Sequence, residues 1–316
     1  MSGLPPLPSR IRVVEVGLRD GLQAVYDPIL ATDTKIEVVE RLIDAGVREI
    51  EAVSFAHPAV LPQLADAAEV MAGVPRPAGV RYRGLVPNLR GAHRAVQTGL
   101  DEIVVVVSAD EEVSRRNQNR TTAQVLDELA EIGPLVRGSG ADLTVGVACA
   151  FFAPAHGPVA WERTIAVVDA AVAAGATGIY LAATSGMEHP YEMVPGIQVV
   201  RERHPQLAVG VHLHNRNGLA MANAIAAMAA GADWLETAFG GLGGDMWFPG
   251  DPEVLGNAPT EDLVHTCDML GVETGIDLNR YLDVVTLVAE QTRRRPVSFV
   301  SRGGSRDELA RAVWPE

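Results

Sequence analysis

The sequence predicts a (β/α)8 TIM barrel with a C-terminal helical extension. Three observations carry that expectation. Short apolar runs rich in β-branched residues recur eight times along the 316 residues, and helical periodicity separates them. Most of these runs are continuously apolar rather than alternating, as strands buried on both faces must be. Four helical stretches end in the same kind of step: Ala45-Gly46-Val47, Thr98-Gly99-Leu100, Ala174-Gly175-Ala176 and Ala230-Gly231-Ala232. Glycine there supplies the left-handed residue that returns the chain to the sheet. A doubly wound sheet is the runner-up, but no G-x-G-x-x-G follows the first strand.

The elements follow in order. The first strand is read at 11–17, and 33–45 is its helix, with Thr32-Asp33 as the N-cap and Glu37 a turn later. Strands at 47–55, 80–87 and 102–108 alternate with helices at 61–71, 89–97 and 122–133, the last capped by Thr121-Thr122. Strands at 142–150, 178–183 and 207–214 are followed by helices at 159–174, 191–204 and 219–230. The eighth strand is 234–240, and beyond it lie helices at 260–270 and 278–294 and a polar tail. Residues 1–316 therefore read as one catalytic domain, the barrel over about 11–270 and the extension over about 271–316.

Composition narrows the function. With 47% hydrophobic and 21% charged residues, 31 Gly and 20 Pro, the chain is that of an ordinary globular protein. Its two cysteines, Cys149 and Cys267, exclude a disulfide framework and make a reducing cytoplasm the default; both read as small buried hydrophobes. Apolar runs such as 103–107 are strand-sized, so no membrane partner is expected. The Pro-rich first ten residues lack the apolar core of a secretory signal. The formal charge is −14, from 26 basic and 40 acidic residues, and no basic stripe is interleaved with aromatics. Nucleic acid is a poor partner for such a surface. An anionic ligand would need a local cationic site. The run Arg293-Arg294-Arg295 is read as a solvated helix end. High Ala, Val and Arg usage with little Lys points to a high-GC bacterial source.

In a barrel the chemistry sits at the C-terminal strand ends. The first strand ends in Leu18-Arg19-Asp20-Gly21-Leu22-Gln23, and the seventh in His212-Leu213-His214-Asn215. His212 and His214 at i, i+2 on a strand share a face, and Asp20 is on a neighbouring part of the closed barrel. An isolated H-x-H pair is more often one core and one surface histidine. Beside a strand that closes in Arg-Asp, it reads as a mixed N/O divalent-metal site, Mg2+ or Mn2+ first and Zn2+, Co2+ or Fe2+ next. Glu51 lies inside an apolar strand, where an unpaired carboxylate is costly. It either pairs with Arg19 across neighbouring strands or serves as a general base. The glycine-rich stretch Gly240-Gly241-Leu242-Gly243-Gly244 is a lid, a phosphate cradle or simple turn chemistry, and no Gly-Lys-Ser/Thr supports a nucleotide triphosphate.

Taken together, Val14-Glu15-Val16-Gly17-Leu18-Arg19-Asp20-Gly21-Leu22-Gln23, Ile50-Glu51, Ser54-Phe55, Pro62-Gln63, Pro87-Asn88-Leu89, His212-Leu213-His214, Gly241-Leu242-Gly243-Gly244 and Gly256-Asn257-Ala258-Pro259-Thr260-Glu261-Asp262 resemble the 3-hydroxy-3-methylglutaryl-CoA lyases. These belong to a wider metal-dependent barrel superfamily that includes isopropylmalate and homocitrate synthases. The resemblance runs from about Arg12 to Arg294. It implies a divalent metal on Asp20, His212, His214 and Asn257, an enolate stabilised by Arg19, and retro-Claisen cleavage of a 3-hydroxy-3-alkyl acyl thioester. Arg19, Glu51, His212 and Asp245 are the expected catalytic residues. Arg19, Gln23, Gly243 and Gly244 are the expected substrate contacts. The implied partner is a small acyl-CoA or oxo-acid, and a homodimer is expected.

The chain departs from the family at the proton-transfer groups. Asp245 stands where the lyases carry a catalytic Cys after the Gly-Leu-Gly-Gly loop. Ala183 stands where they carry the Asp of a Gly-Asp-Thr, and Asn215 where their second histidine is followed by Asp. Met246-Trp247-Phe248-Pro249 replaces a smaller, more polar run. Asp245 would act as an acid if burial raised its pKa, or would bind a cation or support the metal. The alternatives are a related aldolase or condensing enzyme acting on another oxo-acid, and an inactive relative that serves only to bind. A retained metal separates the last from the others.

Overall fold

The protein is described from a computed structural model, which covers residues 6–244, 248–249 and 256–314. Met1 to Pro5 of the N-terminal segment and the expected catalytic Asp245, with Met246 and Trp247, lie outside the described residues.

Eight parallel strands close into a barrel in the order β1-β10-β9-β8-β5-β4-β3-β2. They are β1 (Arg12–Glu15), β2 (Glu49–Ser54), β3 (Arg81–Leu85), β4 (Glu102–Ser108), β5 (Asp142–Ala148), β8 (Gly178–Ala183), β9 (Ala208–Leu213) and β10 (Trp234–Thr237). A small antiparallel ribbon, β6 (Phe152–Ala153) with β7 (Gly157–Pro158), interrupts the count after β5. Every residue of β2, β8 and β10 is buried, as strands covered on both faces require. The outer ring is α1 (Thr32–Asp44), α2 (Ala67–Gly73), α3 (Leu89–Ala95), α5 (Thr122–Ser139), α6 (Trp161–Ala174), α7 (Pro190–Arg203), α8 (Ala220–Ala229) and α9 (Thr260–Leu270). Helix α10 (Leu278–Thr292) follows, and Asp277 at its start donates its backbone N–H to the Ala45 carbonyl beyond α1.

Gly46, Gly99, Gly175 and Gly231 all have positive φ, so the four helix-ending steps are the left-handed stops that the sequence predicts. Other expectations need correction. Thr32 does not cap α1; Ala31 is the N-cap, and the Thr32 hydroxyl donates to Asp66 at 2.8 Å. Helix α5 does not stop at Gly133 but runs through Pro134 to Ser139. Its last turns are held by packing: Val136 is fully buried, and a Cβ at Gly133 would lie 2.0 Å from the Ala174 carbonyl of α6. Helix α2 starts late, because Pro62–Leu64 forms a separate 3-10 turn. The unforeseen α4 (Glu111–Gln118) is almost wholly polar and buries only Val113 and Ser114, so periodicity could not show it. Its N-cap is Asp110, which accepts from the Val113 N–H at 3.1 Å. The polar tail holds two short helices, α11 (Val300–Gly303) and α12 (Arg306–Arg311).

Two aromatic side chains fill the barrel interior because glycines on the neighbouring strands leave room. Trp234 lies over Gly210, where a Cβ would come within 2.0 Å of the indole, and Tyr180 lies over Gly146, where it would come within 2.2 Å of the phenol. Gly210→Val is therefore expected to destabilise the protein by roughly 2–3 kcal/mol or more, since a rigid indole between strands cannot yield. A urea melt checks this; an unchanged midpoint contradicts it.

Outside the barrel, two buried carboxylates tie the strand ends together. Glu15 Oε1 accepts from the N–H groups of Gly17 at 2.7 Å and Phe239 at 3.0 Å, and Oε2 accepts from the hydroxyls of Thr260 at 2.8 Å and Tyr281. Glu261 accepts from the Gly240 N–H with both oxygens at 3.1 Å. Burial pushes Glu15 up to about 7 and Glu261 up to about 8 against these donors. The folded state then keeps protons that the unfolded chain releases near 4.5. The stability this adds is complete at low pH and is lost as pH climbs through 7 and 8, by at most about 1.4 kcal/mol per pH unit per group. Between pH 5.5 and 8.5, Glu261→Gln should lose less stability than the parent; equal losses in urea melts would count against the assignment.

Candidate active site

The C-terminal strand ends surround a cavity of about 500 Å3, a size typical of small-ligand sites. Its floor is set by what the chain does after β1. Beyond Val16 the strand does not continue to residue 17 as expected. The N–H groups of Arg19, Asp20 and Gly21 all converge on the Val16 carbonyl, at 3.1, 2.7 and 3.3 Å, in a π-helical turn, Gly17–Gly21. Such turns are concentrated at functional sites. This one puts Arg19 and Asp20 side by side in the cavity lining. Gly17 is required, because a Cβ there would meet Glu15 at 2.5 Å and Phe239 at 2.6 Å.

From β2, Glu51 grips Arg19 with two parallel bonds, Nε to Oε1 at 2.8 Å and Nη2 to Oε2 at 3.1 Å, while Arg19 Nη1 donates to Asp20. The pairing alternative for Glu51 is thus the one observed, and Glu51 is not in the cavity lining. From β9, His212 and His214 both line the cavity, while Val211 and Leu213 between and before them pack outward in the core. The two Nε2 atoms face each other at 3.1 Å, and His214 Nε2 lies 3.7 Å from Asp20 Oδ2. Asn257 arrives by backbone pairing: it forms an antiparallel bridge with His214, and the next N–H, of Ala258, donates to Leu213 O at 2.7 Å. Its Nδ2 donates to Asp20 Oδ2 at 2.6 Å and to the Leu242 carbonyl at 2.8 Å.

Burial acts against every charge in this cluster, and neighbours outweigh it at Asp20 and Arg19. Burial opposes ionisation of Asp20, yet Arg19, then His212 and His214, hold its carboxyl far below the usual range. Burial likewise opposes the Arg19 cation, but Glu51 and Asp20 keep it firmly protonated. Burial pushes Glu51 up against the pull of Arg19. Donor atoms of Asp20, His212 and His214 all lie within 4.8 Å of one another, and all three residues are buried. Asn257 is fully buried, and its Oδ1 has no hydrogen-bond partner. An ionised carboxylate, two converging imidazole nitrogens and an orphaned amide oxygen make a donor set that fits a divalent cation.

The remaining expected residues take different places. Gln23 and Gly244 line the cavity. Gly243 backs it instead: at φ 129°, a Cβ there would lie 2.2 Å from Asn257 Nδ2 and 3.0 Å from Asp20 Oδ2. Ala183, where the resembled lyases have Asp, is in the apolar core and not in the cavity lining. Cys149 is buried just beyond β5, and burial pushes the Cys267 thiol up to about 12, so Cys267 is not an activated nucleophile. The run Arg293-Arg294-Arg295 is exposed at the end of α10 as expected, and with Arg302 it also lines a second cavity behind 240–243.

Sequence reasoning missed three interior residues. Glu236 on β10 accepts the His212 Nδ1 contact at 3.1 Å, and Tyr180 on β8 packs its ring 5.7 Å from that of His212. Arg83 on β3 bonds Glu236 at 3.0 Å. The signal that flagged Glu51, a charge inside an apolar strand, was present at Arg83 and Glu236 as well.

A model of the HMGL-like family matches residues 10–288. The chain belongs to the HMGL-like family. This lyase is 33% identical over 299 residues to the mitochondrial hydroxymethylglutaryl-CoA lyase of Gallus gallus, covering 95% of this chain and 99% of that protein. It is 35% identical to the (R)-citramalyl-CoA lyase of Chloroflexus aurantiacus, covering 93% and 95%. Its fold superposes with a TM-score of 0.91 on an HMG-CoA lyase of Acinetobacter baumannii solved with coenzyme A and 3-methylmalate, at 32% identity and 97% and 98% coverage. The protein is a carbon–carbon lyase of the hydroxymethylglutaryl-CoA lyase type. Enzymes of the family depend on a divalent metal, and no helix among the described residues of this lyase is long and apolar enough to cross a membrane.

Proposed function

We propose that the lyase cleaves hydroxymethylglutaryl-CoA, or a close 3-hydroxy-3-alkyl acyl thioester, into an acyl-CoA and a keto acid at the Arg19–Asp20–His212–His214–Asn257 cluster. The observation that carries this reading is the convergence of those five side chains from three separate stretches of chain: Arg19, Asp20, His212 and His214 line one cavity, and Asn257 bonds Asp20 from behind them. Asp20, His212, His214 and Asn257 would hold the divalent cation, with Mg2+ or Mn2+ the ions best suited to this N/O set. A bound cation supplies Lewis-acid polarisation of the substrate oxygens.

The protein's own groups account for the rest. Arg19, fixed by the Glu51 fork, points a permanent positive charge at the place where the thioester carbonyl becomes an enolate oxygen as the carbon–carbon bond breaks. Both His212 nitrogens are committed, Nε2 to the cluster and Nδ1 to Glu236, so its catalytic part is that of a ligand. Gln23 and Gly244 line the cavity where substrate would lie. Asp245 follows Gly244 directly; as a carboxylate it would take the 3-hydroxyl proton as the ketone forms, and as the acid so made it would return that proton to the enolate carbon. The cationic sites that an acidic protein needs for a polyanionic carrier are Arg116 and Arg120 in the cavity wall and the arginines of the second cavity. Residues 1–316 act as one catalytic domain in this reading. We also expect a cytoplasmic homodimer, supported by the apolar side chains Phe299, Leu309, Val313 and Trp314 exposed near the C-terminus.

A second reading is cleavage of a different thioester of the same class, as named for the Chloroflexus relative. Asp245 favours it, since it stands where the resembled lyases carry their catalytic Cys. The two are separated by assaying hydroxymethylglutaryl-CoA and (R)-citramalyl-CoA side by side with Mn2+, with Asp245→Cys next to the parent. Acetoacetate release by the parent supports the first reading. Pyruvate release from citramalyl-CoA alone supports the second. Cleavage of neither, with Asp245→Cys also silent, would overturn both.

A further inference from the structure

Beneath the cavity floor, the barrel interior holds an unusual concentration of charge. Arg83 is only 2% exposed, and each nitrogen of its guanidinium faces a different carboxylate: Nη1 meets Glu236 Oε1 at 3.0 Å, Nη2 meets Glu49 Oε2 at 2.9 Å, and Nε meets Glu102 Oε2 at 3.1 Å. The indole of Trp234 stacks against it, 5.1 Å from the guanidinium carbon, and donates Nε1–H to Glu236 Oε1 at 3.0 Å. Glu236 Oε1 therefore takes two donors from below, while Oε2 faces His212 Nδ1 at 3.1 Å. A buried ion cluster of this kind is a poor means of gaining stability, since apolar packing does as well or better. Its geometry has a direction instead. It runs from the barrel floor to one imidazole of the cation cluster.

We propose that Arg83 and Glu236 are positioning residues that hold the His212 ring with Nδ1–H on Glu236 and Nε2 turned into the cavity. The proposal rests on the cation reading of Asp20, His212 and His214. Arg83, itself held by Glu49 and Glu102, fixes Glu236 in one rotamer through the Nη1–Oε1 bond, and Glu236 fixes the ring and its tautomer. A lysine cannot replace Arg83, because a single ammonium cannot present three nitrogens to three carboxylates in one plane. Partners of this kind typically change metal affinity by about 10–100-fold when removed.

The test measures Mn2+ binding by paramagnetic resonance in the full chain, and the His212 tautomer by 15N-histidine NMR of the metal-free protein at alkaline pH. The variants are Glu236→Leu, Arg83→Lys and Glu102→Gln, each first shown to be folded by circular dichroism. Glu102 touches Arg83 but is not among the partners of His212, so Glu102→Gln reports a merely structural role. Glu236→Leu should weaken Mn2+ binding by about 10–100-fold, Arg83→Lys by several-fold, and Glu102→Gln hardly at all. The first two should move His212 toward the Nε2–H tautomer. Equal loss in all three variants, or no loss in any, overturns the proposal. A parent that binds no Mn2+ while keeping His212 in the Nδ1–H form would refute the cation reading but leave the positioning intact; a parent in the Nε2–H form refutes the positioning itself.

Discussion

Arg19→Met should lower kcat for thioester cleavage by about 10²–10³-fold, with a much smaller change in KM. The size follows from removing one preorganised positive charge from beside a developing oxyanion. Ground-state binding needs that charge less, so the loss falls on kcat. Arg19 is also the only cation paired with Glu51 among the described residues, and it bonds Asp20. The substitution therefore strands carboxylates in a buried site, and a melting temperature well below that of the parent is expected as well. Arg19→Lys separates the two effects: it keeps the charge but cannot grip Glu51 with two parallel bonds. A lysine variant with near-parental stability and kcat reduced at least tenfold is the expected pattern. Parental kcat in Arg19→Met, in folded protein, would remove Arg19 from the chemistry.

The second large effect is at Asp20. Asp20→Asn keeps the shape of the side chain but not its charge, and it places an amide where Asn257 Nδ2 now donates at 2.6 Å. Loss of one anionic ligand and the resulting clash of donors should abolish tight Mn2+ binding. Activity should fall by about 10³-fold, equivalent to roughly 4 kcal/mol of transition-state stabilisation. Because Arg19 and the two histidines balance the Asp20 charge, neutralising it should also lower the melting temperature, although the variant is expected to be folded at assay temperature. A Mn2+ titration alongside the rate separates lost metal from lost fold; retention of both binding and rate would exclude Asp20 as a ligand.

The parts of this site that are legible in the sequence are those written in local pattern. His212 and His214 share a face because a strand repeats every two residues, and Gly46, Gly99, Gly175 and Gly231 mark returns to the sheet because left-handed backbone favours glycine. The Arg19–Glu51 pair was legible too, since a carboxylate in an apolar strand demands a partner nearby. What stays hidden depends on register around a closed barrel. Glu236 reaches His212 only because β10 pairs with β9 with Glu236 beside His212. Arg83 meets Glu236 across the interior, 153 residues away in sequence, and no local pattern encodes that meeting. Helix α4, polar except for Val113, is held by an Asp110 cap rather than by an apolar stripe, so periodicity passed over it. The π-helical turn at 17–21 also looks like strand in sequence, although it is what brings Arg19 and Asp20 to the cavity.

The most direct measurement is of hydroxymethylglutaryl-CoA cleavage by chelator-stripped protein as Mn2+ is added back, with bound metal counted in the same samples. The expected result is a stripped enzyme without activity, whose rate rises in proportion to bound Mn2+ and levels off at about one ion per chain, the single site that the Asp20–His212–His214 cluster provides. Full activity in protein shown to hold no metal would contradict it.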